Sequence, residues 1–113
     1  MPQPNSTPSY ADVQYSVESS TGTNSIVIDG SKPIHVITLT NNSATVTVGT
    51  QPAEGHSTHV FFCSDASRNI TIQHNASTTV CPDATDIVLT VSAGGFVEVD
   101  FLRANNRLYV RAV

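Results

Sequence analysis

The sequence predicts an all-β fold: an antiparallel β-sandwich or jelly-roll-like domain with an extended N-terminal arm. Three observations predict it. Charged residues make up only 12% of the chain, about half of what soluble domains usually carry. Thr, Ser and Asn take their place, and Thr suits a strand because its branched β-carbon fits a pleated surface. Lys and Glu, the usual solvating residues of helices, are reduced to Lys32 and to Glu18, Glu54 and Glu98. Short alternating runs recur at about eight to twelve residues, the spacing of a sandwich, jelly roll or small barrel, and no segment holds a helical period.

The chain divides into an arm, residues 1–22, and a β domain, residues 23–113. The arm is polar and carries Pro2, Pro4 and Pro8. It offers almost nothing to bury and cannot offset its own ordering entropy. Its expected role is to be held by something outside the domain, as in a subunit of an assembly. Within it Val13, Tyr15 and Val17 alternate with Asp12, Gln14 and Ser16. That weak strand could add to the edge of a neighbour's sheet.

The domain opens with a turn at Thr23-Asn24 and a short strand, Ser25 to Ile28, stopped by the turn signal Asp29-Gly30. Ile34 to Thr40 is apolar on both faces, with Ile34 and Val36 on one and Ile37 and Leu39 on the other. Such a strand is expected to lie between layers. Asn41-Asn42 turns into Ala44 to Val48, where Ala44 and the valines point inward and the threonines outward. A loop containing Pro52 and Gly55 precedes Thr58 to Cys63. Asn69 to Gln73 alternates through Ile70 and Ile72, and Thr78 to Cys81 is a further short strand. Asp86 to Ser92 and Phe96 to Leu102 flank Ala93-Gly94-Gly95. Asn105-Asn106 leads into the last strand, Arg107 to Val113. The strand spacing is irregular and shows no sequence repeat.

Charge and composition exclude several functions. The net charge is −4, and the basic residues are scattered, so phosphate neutralisation on a nucleic acid is not expected. No run approaches the ~20 apolar residues of a membrane span. Met1-Pro2-Gln3-Pro4 has neither the charged nor the apolar region of a leader, so synthesis in the cytoplasm of the producing cell is expected. There Cys63 and Cys81 are expected to be free thiols rather than a bridge.

The stretch Ile37-Thr38-Leu39-Thr40-Asn41-Asn42-Ser43-Ala44-Thr45-Val46-Thr47-Val48 resembles a recurring phage segment. Pro52-Ala53-Glu54-Gly55-His56, an apolar strand and Arg68-Asn69-Ile70-Thr71-Ile72 continue it. Gly94-Gly95-Phe96-Val97-Glu98-Val99 and Arg107-Leu108-Tyr109-Val110 close it. Small β domains of tailed-phage virion proteins look like this, among them capsid decoration, head-fibre and tail-fibre proteins. The resemblance covers Ile34 to the C-terminus and is one of pattern rather than motif. It implies a homotrimer on the virion surface, an arm gripping the major capsid protein or another virion protein, and no catalysis. The short chain favours a compact decoration or cement protein over a whole fibre. The arm interface would be carried by Tyr10, Val13, Tyr15 and Val17.

Few residues suggest chemistry. His56 and His59 are three apart, a spacing that diverges beside a strand, and zinc needs three or four ligands. Glu98 and Asp100 share one strand face, as a calcium or acid/base pair would, and Asp83 and Asp86 are a looser pair. A solvated outer face and turn capping explain these carboxylates more simply. Ser, His and Asp are present without a Gly-x-Ser-x-Gly elbow. The expectation is a non-enzyme with no catalytic, metal or cofactor residues. The rival reading is a carbohydrate- or receptor-binding module of a phage fibre. It is weakened by the lack of Trp, with only Tyr10, Tyr15 and Tyr109 as tyrosines.

Overall fold

Ten strands among the described residues, alternating between two sheets as far as the final hairpin, organise the chain. The structure is a computed structural model. It describes residues 24–113 and the backbone of residues 15–19. The strands are β1 (Tyr15–Ser19), β2 (Ser25–Asp29), β3 (Ile34–Leu39), β4 (Ser43–Thr50), β5 (Ser57–Ser64) and β6 (Arg68–Ile72). There follow β7 (Thr79–Val80), β8 (Ile87–Val91), β9 (Phe96–Ala104) and β10 (Arg107–Ala112). A 3-10 turn at Pro82–Ala84 is the only helical element among the described residues. One sheet has the order β1-β3-β5-β9-β10-β7 and the other β2-β4-β6-β8.

The expected all-β class and two sheets are present, but the wiring differs from an antiparallel sandwich. Each of β1 to β4 pairs in parallel with the strand two places later in the chain. The chain therefore follows the path of a short β-solenoid, with β1–β2, β3–β4 and β5–β6 as successive rungs. Among the described strands antiparallel ladders join β5–β9, β9–β10 and β6–β8. The physical reason is local. A strand with one buried face alternates identically whether its neighbour runs with it or against it. Turn signals mark where a strand stops without saying which sheet receives the next one.

The corners show this directly. Asp29-Gly30 does not close a hairpin. Asp29 Oδ1 accepts from Ser31 N at 3.0 Å and from Ser31 Oγ at 2.6 Å, an Asx turn that sends the chain into the other sheet. Gly30 N–H donates to Thr50 O at 2.6 Å, tying this corner to the next rung. Ala93-Gly94-Gly95, with Gly94 at φ 77°, likewise carries the chain between sheets. Asn105-Asn106 is a true hairpin. Both residues are left-handed, at φ 54° and 60°, as a type I′ turn requires. Successive rungs are offset by 19 residues (Tyr15 to Ile34) and then 25 (Ile34 to His59). The unequal corners hide the repeat from the sequence.

One core fills the space between the sheets. Ile37, Leu39, Val60, Phe62, Val99 and Phe101 enter it from the larger sheet, and Ile28, Val46, Ile70, Ile72 and Val91 from the smaller. His35 is fully buried there with Nε2 2.7 Å from Asp29 O, which fixes Nε2–H as the donor. Thr58 donates to Lys32 O at 2.6 Å. β3 is not sandwiched between layers. Its His35, Ile37 and Leu39 are buried, whereas Ile34 and Val36 on the opposite face are only half-buried. Neither cysteine is bridged, and Cys81 is the buried one.

Gly30 has a steric rather than a conformational role. A β-carbon there would lie 2.5 Å from Thr50 O and 2.6 Å from Pro52 Cδ. The Gly30→Ala variant is expected to lose about 1–3 kcal/mol of stability through overpacking at the corner. Urea denaturation measures this, and a wild-type midpoint would show that the rungs are not in contact there.

Candidate functional site

The outer face of the six-stranded sheet is set by register. Glu98 and Asp100, two apart on β9, project to that side because side chains alternate along a strand. Antiparallel pairing of β5 with β9 sets His59 opposite Asp100 and Phe61 opposite Glu98. The β9–β10 hairpin sets Arg111 opposite Asp100 on the other flank. The result is a row, Ile34–His59–Asp100–Arg111, with Glu98 beside it.

The side chains in this row are joined. His59 Nδ1 lies 2.7 Å from Asp100 Oδ1 and 3.5 Å from Glu98 Oε2. Arg111 Nη2 donates to Asp100 Oδ2 at 3.0 Å. His59 Nε2 lies 3.4 Å from Ser57 Oγ. Asp100 is buried beneath these neighbours, Glu98 is a quarter exposed and His59 two-fifths exposed. A hollow of about 350 Å³ opens beside them, lined by Ser57, Leu102 and Tyr109 as well as His59, Asp100 and Arg111.

The two carboxyls are pushed in opposite directions. Burial raises Asp100, but hydrogen bonds from Glu98, His59 and Arg111 outweigh it and hold the group below the usual aspartate range. Glu98 is raised by its hydrogen bond to Asp100, by desolvation and by the neighbouring charge. Two carboxyls this close cannot both ionise freely, so one is pushed up while the better-partnered one is held down.

The connectivity Ser57–His59–Asp100 has the order of a hydrolytic triad. However, 3.4 Å is long for a nucleophile–base contact, which normally falls at about 2.6–3.2 Å. Ser57 and His59 also sit two apart on the same strand face. The arrangement is better suited to binding a cation or an opposing charged surface than to generating an alkoxide.

Beside the charged row lies an apolar region. Phe61 and Phe96 are in tilted contact with ring centroids 6.0 Å apart. Phe96 is 65% exposed, and Leu102, at the other end of β9, is 43% exposed. Among the described residues nothing covers this face. The apolar character of Phe61, Phe62, Phe96 and Phe101 predicts a core role for all four; Phe62 and Phe101 are in the core, but Phe61 and Phe96 are on the outside.

Of the residues expected to form the arm interface, Tyr10 and Val13 lie outside the described residues. Tyr15 and Val17 fall in β1, paired in register with Ile34 and Val36 of the same chain. His56 lies in the loop before β5 and lines a separate hollow with Gly30 and Pro52. The Glu98–Asp100 pair read from the sequence is present. Its union with His59 and Arg111 was not foreseen. Arg111 was within reach of the sequence: closing a two-residue turn at Asn105-Asn106 sets Arg111 against Asp100 by counting alone. His59 had no such signal, because β5 and β9 are far apart in the chain.

Compared with protein-family models, curated proteins and solved structures, the chain matches none.

Asp100 contributes stability that is complete above the usual aspartate range and is lost as pH falls through its lowered folded value. Glu98 acts in the opposite sense. Its contribution is complete below the usual glutamate range and is lost as pH rises through its raised folded value. At neutral pH, Asp100→Asn is expected to cost about 1–3 kcal/mol, because Arg111 and His59 lose a charged acceptor. Glu98→Gln is expected to be neutral or mildly stabilising there. Chemical denaturation at neutral and acid pH checks both, and the Asp100→Asn penalty shrinks on acidification.

Proposed function

We propose that this chain is a structural protein that works by assembly, and that it serves in a virion as a capsid decoration or cement protein. The observation that carries the assembly reading is the outer face of the six-stranded sheet, which nothing covers among the described residues. A sheet with one face on the core normally turns a polar face to water. Here that face carries the Phe61–Phe96 pair and Leu102. Exposed apolar surface rimmed by charge is the usual mark of a protein–protein contact.

The proposed occupant is a further copy of the same chain, in a homotrimer. The face carries both signs of charge, Glu98 and Asp100 beside Arg107 and Arg111. A symmetric set of identical faces can therefore be self-complementary. The virion role rests on the resemblance of Ile34 to Val113 to small tailed-phage β domains. A trimer that binds only the assembled shell stabilises it by mass action, and several weak contacts per trimer raise the effective concentration. The arm, residues 1–22, would add contacts to the capsid or to a neighbour.

Light scattering on the purified full chain tests the assembly reading. The expected mass is that of three chains, falling to one chain in Phe96→Asp, where a charge meets the apolar contact. A wild-type monomer at micromolar concentration, or a Phe96→Asp trimer, would remove the outer face as the assembly surface.

A further inference from the structure

We propose that His59, Glu98 and Asp100 form a binding site for a divalent transition-metal ion of the zinc class, a role separate from the assembly reading. Two strands bring one imidazole nitrogen and two carboxylates to a single point. Their ligand atoms all lie within 4.8 Å of one another. Tetrahedral zinc with bonds of about 2.0–2.2 Å sets its ligands roughly 3.3 Å apart. The His59 Nδ1–Glu98 Oε2 separation of 3.5 Å already matches that spacing. The His59 Nδ1–Asp100 Oδ1 contact of 2.7 Å must open by about 0.6 Å, with an ion replacing the bridging proton.

The surroundings suit the exchange. With a metal on Nδ1 the imidazole proton moves to Nε2, which faces Ser57 Oγ at 3.4 Å. Ser57 then accepts from Nε2–H and fixes the ring, the usual arrangement behind a metal-bound histidine. Arg111 holds Asp100 by Oδ2 and leaves Oδ1 for the ion. Its positive charge opposes a cation, but its side chain is 75% exposed, so water and salt weaken that opposition. The two carboxylates otherwise crowd each other, and an ion between them relieves the repulsion. One nitrogen with two oxygens favours zinc over calcium, which prefers an all-oxygen set of six or more ligands. Three protein ligands leave a position for water on the side of the hollow lined by Leu102 and Tyr109.

Calorimetric titration of the full chain with zinc chloride, and separately with calcium chloride, tests the site. The expected result is one zinc ion per chain and little calcium binding. Zinc affinity should fall at least about tenfold in His59→Ala and in Glu98→Gln. Both side chains are partly exposed, and a cooperative melt of each variant confirms that it is folded. Absence of saturable zinc binding overturns the proposal. So does binding that both variants leave unchanged, which would put the ion on His56 or His74 instead. The titration reads ion occupancy and the scattering experiment reads mass, so either idea can fail without the other.

Discussion

The constraint on which the structure depends is that successive strands must bury one face in a single shared core while changing sheet at every corner before the final hairpin. Phe62, Ile37 and Val60 from one sheet meet Ile28, Val46 and Ile70 from the other. Each strand is five to nine residues long, apart from the two-residue β7, and none has enough apolar surface to stand alone. Stacking rung on rung resolves this, because each added rung extends the core and pairs its backbone with the rung before. Parallel pairing follows from that path. The corners must then be tight enough to stack, which is why Gly30 meets Thr50 and Pro52 with no room for a side chain.

A coil of this kind must be ended, and the second half of the chain does so. After β6 the parallel progression stops. β8 runs back along β6 and β9 runs back along β5. β10 then folds onto β9 through the Asn105-Asn106 hairpin, and β7 covers its far side in parallel. This reversal creates the charged row. A fourth parallel rung would have set a residue of its own strand beside His59. The antiparallel return of β9 instead brings two acidic positions to β5, and the hairpin adds Arg111. The candidate site is thus a by-product of how the solenoid is closed.

Much of the fold was legible because alternation and turn residues are local signals. The alternation in Ala44 to Val48 and Val97 to Phe101 identified the strands and their buried faces. The turn at Asn105-Asn106 identified the last hairpin. What stayed hidden was everything that depends on partners distant in the chain. Alternation cannot separate parallel from antiparallel neighbours. Asp29-Gly30 and Gly94-Gly95 mark a change of direction but not the sheet that follows. The same limit applies to the site. Glu98 and Asp100 announce themselves two apart on one strand, while His59 joins them only through β5–β9 pairing. Ile34 and Val36 read as part of a buried layer because they are apolar, yet apolar character alone cannot distinguish a core from a contact surface.

That ambiguity bears on function. Both faces of the six-stranded sheet carry apolar residues, but among the described residues only the inner one packs against a second layer. The inner residues are mostly buried aliphatics and phenylalanines, with His35 and Thr58 hydrogen-bonded among them, and the outer ones are partly exposed and interrupted by ionisable groups. A face built only for solvent would not place Phe61 against Phe96, since an exposed aromatic pair gives up little contact with water. A face built only as core would not hold His59, Glu98, Asp100 and Arg111 at its centre, since buried charge must be fully paired. The mixture fits a surface that is covered in an assembly and wet when free. In the proposed assembly the charged centre would give register to a contact whose apolar flanks supply the area.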